Sequence, residues 1–300
     1  MNYGFVNTGS SAVFVGRDIV AYNHGRFDSA HGDIEQKNLL LTEAEAALGP
    51  DHPEVAERLS DLATAYRDQG RTSEAIPLLQ RAMTISEAAL GPDHPEVAER
   101  LSDLATAFYS MGKASEALPL ERRALESTVT AFGEHHPQVA IRLGNLAAIL
   151  YSLGRESEAL PLEERALLVS QEIFGDHHPD VATRLSNLAV TLHALGRASE
   201  AIPLLQRAVS ISESTLGGDH PDYGARLSNL AAAYRDLGRA AEAIPLLQRA
   251  LAITESALGP DHPDTAIRLS NLAAVYRDLG RAAEAIPLLQ RALAITESAL

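Results

Sequence analysis

The chain has 300 residues, of which 46% are hydrophobic, 22% charged and only 5% aromatic, enough apolar material for a core but few large rings to build one massive centre. Zero cysteines remove disulfides, thiolate metal sites and thiol nucleophiles together. A formal charge of -15 argues against a generic binder of nucleic-acid phosphates, whose footprint should be basic, and favours basic or neutral partners.

In residues 1–30, Val6, Val13, Phe14, Val15, Ile19, Val20 and Tyr22 stand among Gly, Ser and Asn, which reads as short β-prone pieces with turns at Thr8–Ser11 and Gly16–Asp18. Two such pieces alone are marginal in water, so this segment is expected either to lack fixed structure or to pair with something. Ser11–Tyr22 is Pro-free and β-rich, the composition of a segment that can stack on copies of itself. No basic leader precedes the short apolar run Ala12–Val15, and no stretch approaches the roughly 20 apolar residues of a spanning helix. The chain therefore reads as soluble and cytoplasmic, with no membrane contact. Residues 31–48 are expected to be a partial helical lead-in.

From Gly49 onward one glycine recurs every 42 residues, at Gly91, Gly133, Gly175, Gly217 and Gly259. The last two units agree at 37 of 42 positions and differ only at Gly218/Pro260, Tyr223/Thr265, Gly224/Ala266, Ala225/Ile267 and Ala233/Val275. Six tandem units follow: 49–90, 91–132, 133–174, 175–216, 217–258 and 259–300. In each, Val55, Leu59, Leu62 and Tyr66 or their counterparts form a helical stripe, ended by Gly70 or its counterpart. This predicts a helix A over about Pro53–Gln69. Ala75, Ile76, Leu79, Ala82 and Met83 predict a helix B over about Thr72–Leu90. Asp51 and Glu54 are spaced as a capping box, with Pro53 in the first turn. Pro77, Pro119, Pro161, Pro203, Pro245 and Pro287 lie inside helix B and are expected to bend it mildly. Neither helix covers its apolar stripe alone, so consecutive hairpins should stack, and the fold class is all-α.

Leu272-Ala273, Tyr276, Gly280, Glu284-Ala285 and Arg291-Ala292-Leu293 resemble the signature of the tetratricopeptide repeat, with Leu269 in place of the usual tryptophan. The 42-residue period and the Gly-Pro-Asp-His-Pro linkers resemble the kinesin-light-chain type of that repeat. The resemblance implies a right-handed superhelical solenoid of about six hairpins, whose helices A line a concave groove that binds peptides or helices of partner proteins. It does not imply motor function. Similar arrays also serve as sensor ends of signalling receptors, which supplies an alternative function: a sensor or assembly part whose residues 1–30 self-associate.

Catalysis needs singular residues in one place. The repeat-breaking residues His193, Tyr109, Tyr151, Lys113, Gly144 and Tyr223-Gly224 supply no combination of nucleophile, base and orienting group. No phosphate-cradling glycine loop is present. The chain is read as non-enzymatic, with no cofactor. His52, His94, His136, His178, His220 and His262 recur in the linkers, with His135 and His177 beside two of them; such imidazoles can bind metal, but at a helix-start turn they read as capping groups and no metal is assigned.

The groove is the candidate site. One turn before each core Tyr66-type position, helix A carries Asp61, Asp103, Asn145, Asn187, Asn229 and Asn271, a ladder of short polar groups that the resemblance places on the concave face. An amide offers both donor and acceptor, which suits the backbone of an extended peptide. Arg67, Arg235, Arg277 and His193 are expected to tune preference. Glu57, Asp61, Glu99 and Asp103 make the early units acidic; net charge is -3 in each of the first three units and -1 in each of the last three. A ligand with a basic end toward the first units and an acidic end toward the last would complement this field. Ile286, Leu289 and Leu293 in the last helix B have no following hairpin in the sequence, so this end is expected to continue into a longer array or to dock on a partner or a second copy.

Overall fold

A computed structural model describes residues 30–298, with side chains from residue 33, and is all-α, with thirteen helices and no strand among the described residues. Residues 1–29 and 299–300 fall outside it, and with them the β-prone reading of the N-terminal segment. The lead-in is one helix, α1 (Ala30–Leu48). Six hairpins follow: α2 (Pro53–Asp68) and α3 (Thr72–Leu90), α4 (Pro95–Ser110) and α5 (Ala114–Phe132), α6 (Pro137–Ser152) and α7 (Glu156–Phe174), α8 (Pro179–Ala194) and α9 (Ala198–Leu216), α10 (Pro221–Asp236) and α11 (Ala240–Leu258), and α12 (Pro263–Asp278) and α13 (Ala282–Ser298). The even-numbered helices are the helices A, and the odd-numbered helices from α3 onward are the helices B. The chain divides within α7 into two compact units, a first ending at Val169 and a second beginning at Ser170.

At the helix A starts the linker histidines cap, as the sequence suggested, and the Asp51 capping box does not form. The N-cap is His52, not Asp51: its Nδ1 accepts the backbone N–H of Glu54 at 3.2 Å. Pro53 occupies the first helical position, so the residue directly before it holds the cap geometry, with φ -74 and ψ 141, and Asp51 lies one residue too early. His94, His136, His178, His220 and His262 repeat this bond at 3.1–3.3 Å. An Nδ1 that accepts leaves the ring proton on Nε2 in the neutral imidazole. Phe132 and Phe174 stack on His136 and His178 with ring centres 4.3 and 4.5 Å apart.

Gly70, at φ 74, turns the chain between α2 and α3 in the left-handed region that a side chain would strain. The Arg71 guanidinium then lies 4.6 Å over the Tyr66 ring and pairs with Glu74 at 2.6 Å; Arg239 and Arg281 repeat this over Tyr234 and Tyr276. Each helix B is unbroken through its proline.

The core runs along each stack instead of filling a single centre. Leu59, Leu62, Leu79, Leu101, Leu143, Leu185, Leu205 and Leu269 are essentially inaccessible, and Ala63, Ala75, Ala82, Ala117, Ala201 and Ala243 mark places where helices approach closely. Each buried leucine contributes roughly 1.5–3 kcal/mol. A second device fixes one hairpin on the next. Arg81 of α3 reaches Glu45 of α1 and the Pro50 carbonyl, and Arg123 of α5 reaches Glu87 of α3 and the Pro92 carbonyl. Arg249 reaches the Gly218 carbonyl and Asp219, while Arg291 reaches Glu255 and the Pro260 carbonyl.

Candidate functional site

In the first unit the predicted ladder begins at the surface and goes inward. Asp61 of α2 is exposed, Arg67 is half-buried, Asp103 of α4 is half-buried and Asn145 of α6 is only 2% exposed. Beside Asn145 lies Glu121 of α5, a residue that sequence reading missed. It is fully buried at the position where Leu79, Leu205 and Leu247 form the core of other helices B. Glu163 of α7 occupies the same position in the next hairpin and is also fully buried. The available signal was the break from leucine in a repeat that otherwise keeps it.

Around Glu121 stand Ser102 and Asp103 of α4 and Arg142 and Asn145 of α6. Neither carboxylate oxygen makes a well-aligned hydrogen bond, and both amide atoms of Asn145 and the Arg142 Nε share that condition. Ser102 and Asn145 are nevertheless near enough to favour the charged carboxylate. Burial is the larger effect: it pushes the Glu121 carboxyl above the usual carboxylate range, against the pull of Arg142, Ser102 and Asn145 and with help from Asp103. Asp103 is also raised, by desolvation first and then by Glu99, against Arg67, Arg100 and Arg142.

In the second unit Asn187 and Asn229 are buried and Asn271 is half-buried. These helices A are tied side by side. The Arg226 guanidinium of α10 donates to Thr183 Oγ1 of α8 at 2.9 Å, and Arg268 of α12 donates to Ser228 Oγ of α10 at 3.2 Å and to Thr254 Oγ1 of α11 at 3.3 Å. Nearer the C-terminal ends, His193 of α8 meets Asp236 of α10, and Arg235 of α10 meets Asp278 of α12. Two of the residues predicted to tune preference, His193 and Arg235, are therefore paired with acids of the next helix A, while Arg277 is exposed. Leu247, Asn271, Ser228, Arg235 and Val275 line a partly open gap of about 10 Å³, about one water in size, at the place that corresponds in the repeat to the Glu121 carboxyl. A shallow cleft of about 500 Å³ lies between α11, α12 and α13, floored by Leu251, Leu272, Tyr276 and Leu288.

The family model described as tetratricopeptide repeat matches residues 38–88, 62–128, 143–214, 185–253 and 225–298. The chain belongs to the tetratricopeptide repeat family. No curated protein matches it at a significant level. Among solved structures, the nearly identical TPR-like repeats described as a kinesin light chain of Podosopora anserina are 28% identical, with 69% of this chain and 98% of that one covered and a TM-score of 0.60. BtubC (BKLC) from P. vanneervenii is 22% identical over 78% of this chain and 94% of its own, with a TM-score of 0.66. A Rap protein complexed with Competence and Sporulation Factor is 14% identical over 91% and 88%, with a TM-score of 0.55, a likeness of fold.

Set in tetratricopeptide hairpins, the helix A polar positions sort into two kinds. Those at Asn145, Asn187 and Asn229 are buried. Those one to two turns later, at Asp236, Arg277 and Asp278, face water. Among the described residues no group of three or more His, Asp or Glu side chains could hold a metal ion, and no helix is long and apolar enough to cross a membrane.

Proposed function

We propose that this tetratricopeptide protein is a non-enzymatic interaction scaffold that binds peptide or helical segments of partner proteins on the polar faces of its helices A. The observation that carries this is the pair of contacts His193 to Asp236 and Arg235 to Asp278. They bring the C-terminal turns of α8, α10 and α12 together, so that charged groups of three successive hairpins form one surface. Donors and acceptors at regular intervals suit an extended ligand, whose backbone repeats the same groups. The fold is one on which a Rap protein holds Competence and Sporulation Factor.

The two units offer different fields. In the first, Glu57, Asp61 and Glu99 are exposed and Asp103 is half-buried, which favours ligands with basic side chains. In the second, Arg277 is exposed beside the mixed charges of α8, α10 and α12, which favours neutral or acidic ones. Because Asn187 and Asn229 are buried, substitutions there would test folding. The test belongs to exposed groups. Asp61→Lys with Glu99→Lys should reduce capture of lysine-rich peptides from a defined array at least tenfold, with an unchanged helical circular dichroism spectrum. Arg277→Glu should leave that capture unaltered and reduce capture of acidic peptides. Peptide preferences that stay the same in both variants would refute groove binding by these faces.

A further inference from the structure

In the second unit a cation near the end of one helix A meets an aspartate of the next: His193 of α8 with Asp236 of α10, and Arg235 of α10 with Asp278 of α12. The partners stand 43 residues apart, one repeat and one position. In the first unit the same register joins Arg67 of α2 to Ser110 of α4, and Tyr109 of α4 to Ser152 of α6. Both serines are exposed and turn their hydroxyls onto their own helices. Ser110 Oγ donates to the Ala107 carbonyl at 2.9 Å and Ser152 Oγ to the Ile149 carbonyl at 2.7 Å.

Arg67 is thus a helix A cation whose neighbouring helix offers no acid at the pairing position. Its side chain is half-buried and makes no hydrogen bond or ion pair among the described residues; Asp103 of α4 acts on it only from a longer distance. Serine is shorter than aspartate and uncharged, which leaves the guanidinium fork and its five donors to a carboxylate from elsewhere. The surroundings restrict which carboxylate that is. Together α2 and α4 carry seven acidic and three basic side chains, with Glu57, Asp61 and Glu99 exposed, so a purely acidic segment is repelled. Asp61 lies six residues before Arg67, about 9 Å along α2. A ligand that balances these acids with basic side chains can set its own carboxylate on Arg67.

We propose that Arg67, opposite Ser110, is a carboxylate subsite of the first unit: it takes an aspartate or glutamate side chain of a partner segment whose basic side chains lie on Asp61 and Glu99. The ligand's carboxylate stands there as Asp278 stands beside Arg235, so binding completes in the first unit a pair that the second unit closes within its own chain. The subsite rests on the reading of the helix A faces as a binding surface and adds to it the order of charges along the ligand.

The probe is an array of lysine-rich peptides in which one glutamate, or one alanine, is walked through every position, incubated with the 300-residue chain. Capture of the best-placed glutamate peptide should exceed that of its alanine counterpart about fivefold, the reach of a partly exposed ion pair. Arg67→Ala should remove that difference and keep capture of the alanine peptide. Ser110→Asp should remove it too, because it installs on α4 the acid that α10 and α12 carry; an arginine with a merely structural role would show no such loss. Arg67 is half-buried and Ser110 exposed, and both variants should keep the helical circular dichroism spectrum. If no glutamate position improves capture, the subsite is overturned while binding of lysine-rich peptides still supports the scaffold. A glutamate preference that survives Arg67→Ala or Ser110→Asp places the carboxylate elsewhere and also overturns it. If the chain captures none of these peptides, the binding surface of the first unit fails, and the subsite with it.

Discussion

The two units put different side chains into one equivalent place. In the second, Leu205 and Leu247 close the core beneath helix A, and beside Leu247 remains a gap of about 10 Å³ near Asn271. In the first, Leu79 is followed by Glu121 and Glu163, both fully buried, and the Glu121 carboxyl sits among Ser102, Asp103, Arg142 and Asn145. In repeat register, Ser186, Asn187, Arg226 and Asn229 are the counterparts of those four residues around Leu205, with an amide in place of the Asp103 carboxylate. The polar groups at the hairpin junction thus tolerate either an apolar cap or a carboxyl group. Burial makes the carboxyl costly when ionised.

The sharpest way to break the comparison is to move the acid. Leu205→Glu should destabilise the second unit by about 1–3 kcal/mol, because it replaces a fully buried leucine by a carboxyl group taken out of water. Urea unfolding followed by circular dichroism measures this, and a loss below about 1 kcal/mol would show that the junction of the second unit is as ready for an acid as that of the first.

The reverse exchange, Glu121→Leu, should stabilise the first unit by about 1–3 kcal/mol at neutral pH, because it removes a buried carboxyl without a well-aligned hydrogen bond from a place that Leu79 and Leu205 fill elsewhere. Its sign depends on pH. The folded carboxyl titrates above its unfolded value, so the folded state holds the extra proton between the two, and stability falls as pH rises from the unfolded value near 4.3 toward the folded one. Unfolding midpoints measured across pH 4–8 should decline less in the variant than in the parent. Equal slopes would remove Glu121 from the account.

Smaller effects test what the two units share. His94→Ala and His220→Ala should each cost about 1 kcal/mol by deleting the N-cap acceptor, with Asn at the same position restoring most of it. A markedly unequal cost would reveal a difference between the units that the caps do not show. Arg249→Ala should cost less than about 1 kcal/mol by urea unfolding, since its pairing with Asp219 is largely exposed.

Most of the local structure was legible in the residues. Helix B was expected over Thr72–Leu90 and lies there; helix A ends at Asp68, one residue before the expected Gln69, and Gly70 stops it with a positive φ. The sequence offered two caps, the linker histidine and an Asp51 and Glu54 capping box, and Pro53 at the first helical position gives the cap to His52. The candidate site was less legible. The ladder runs along helices A as one series of polar residues, but Asn145, Asn187 and Asn229 are buried while Asp61 is exposed. A helical period says which residues share a face; it does not say how far around that face the next hairpin reaches.

By itself the sequence determined the period, the two helices of each hairpin and their stop signals, because those follow from residue spacing, backbone preference and short-range capping. Tertiary structure alone decided which equivalent residues are covered. The same 17 residues bury Leu247 in α11 and expose Leu289 in α13, because accessibility belongs to the neighbour that packs on a side chain and not to the side chain itself.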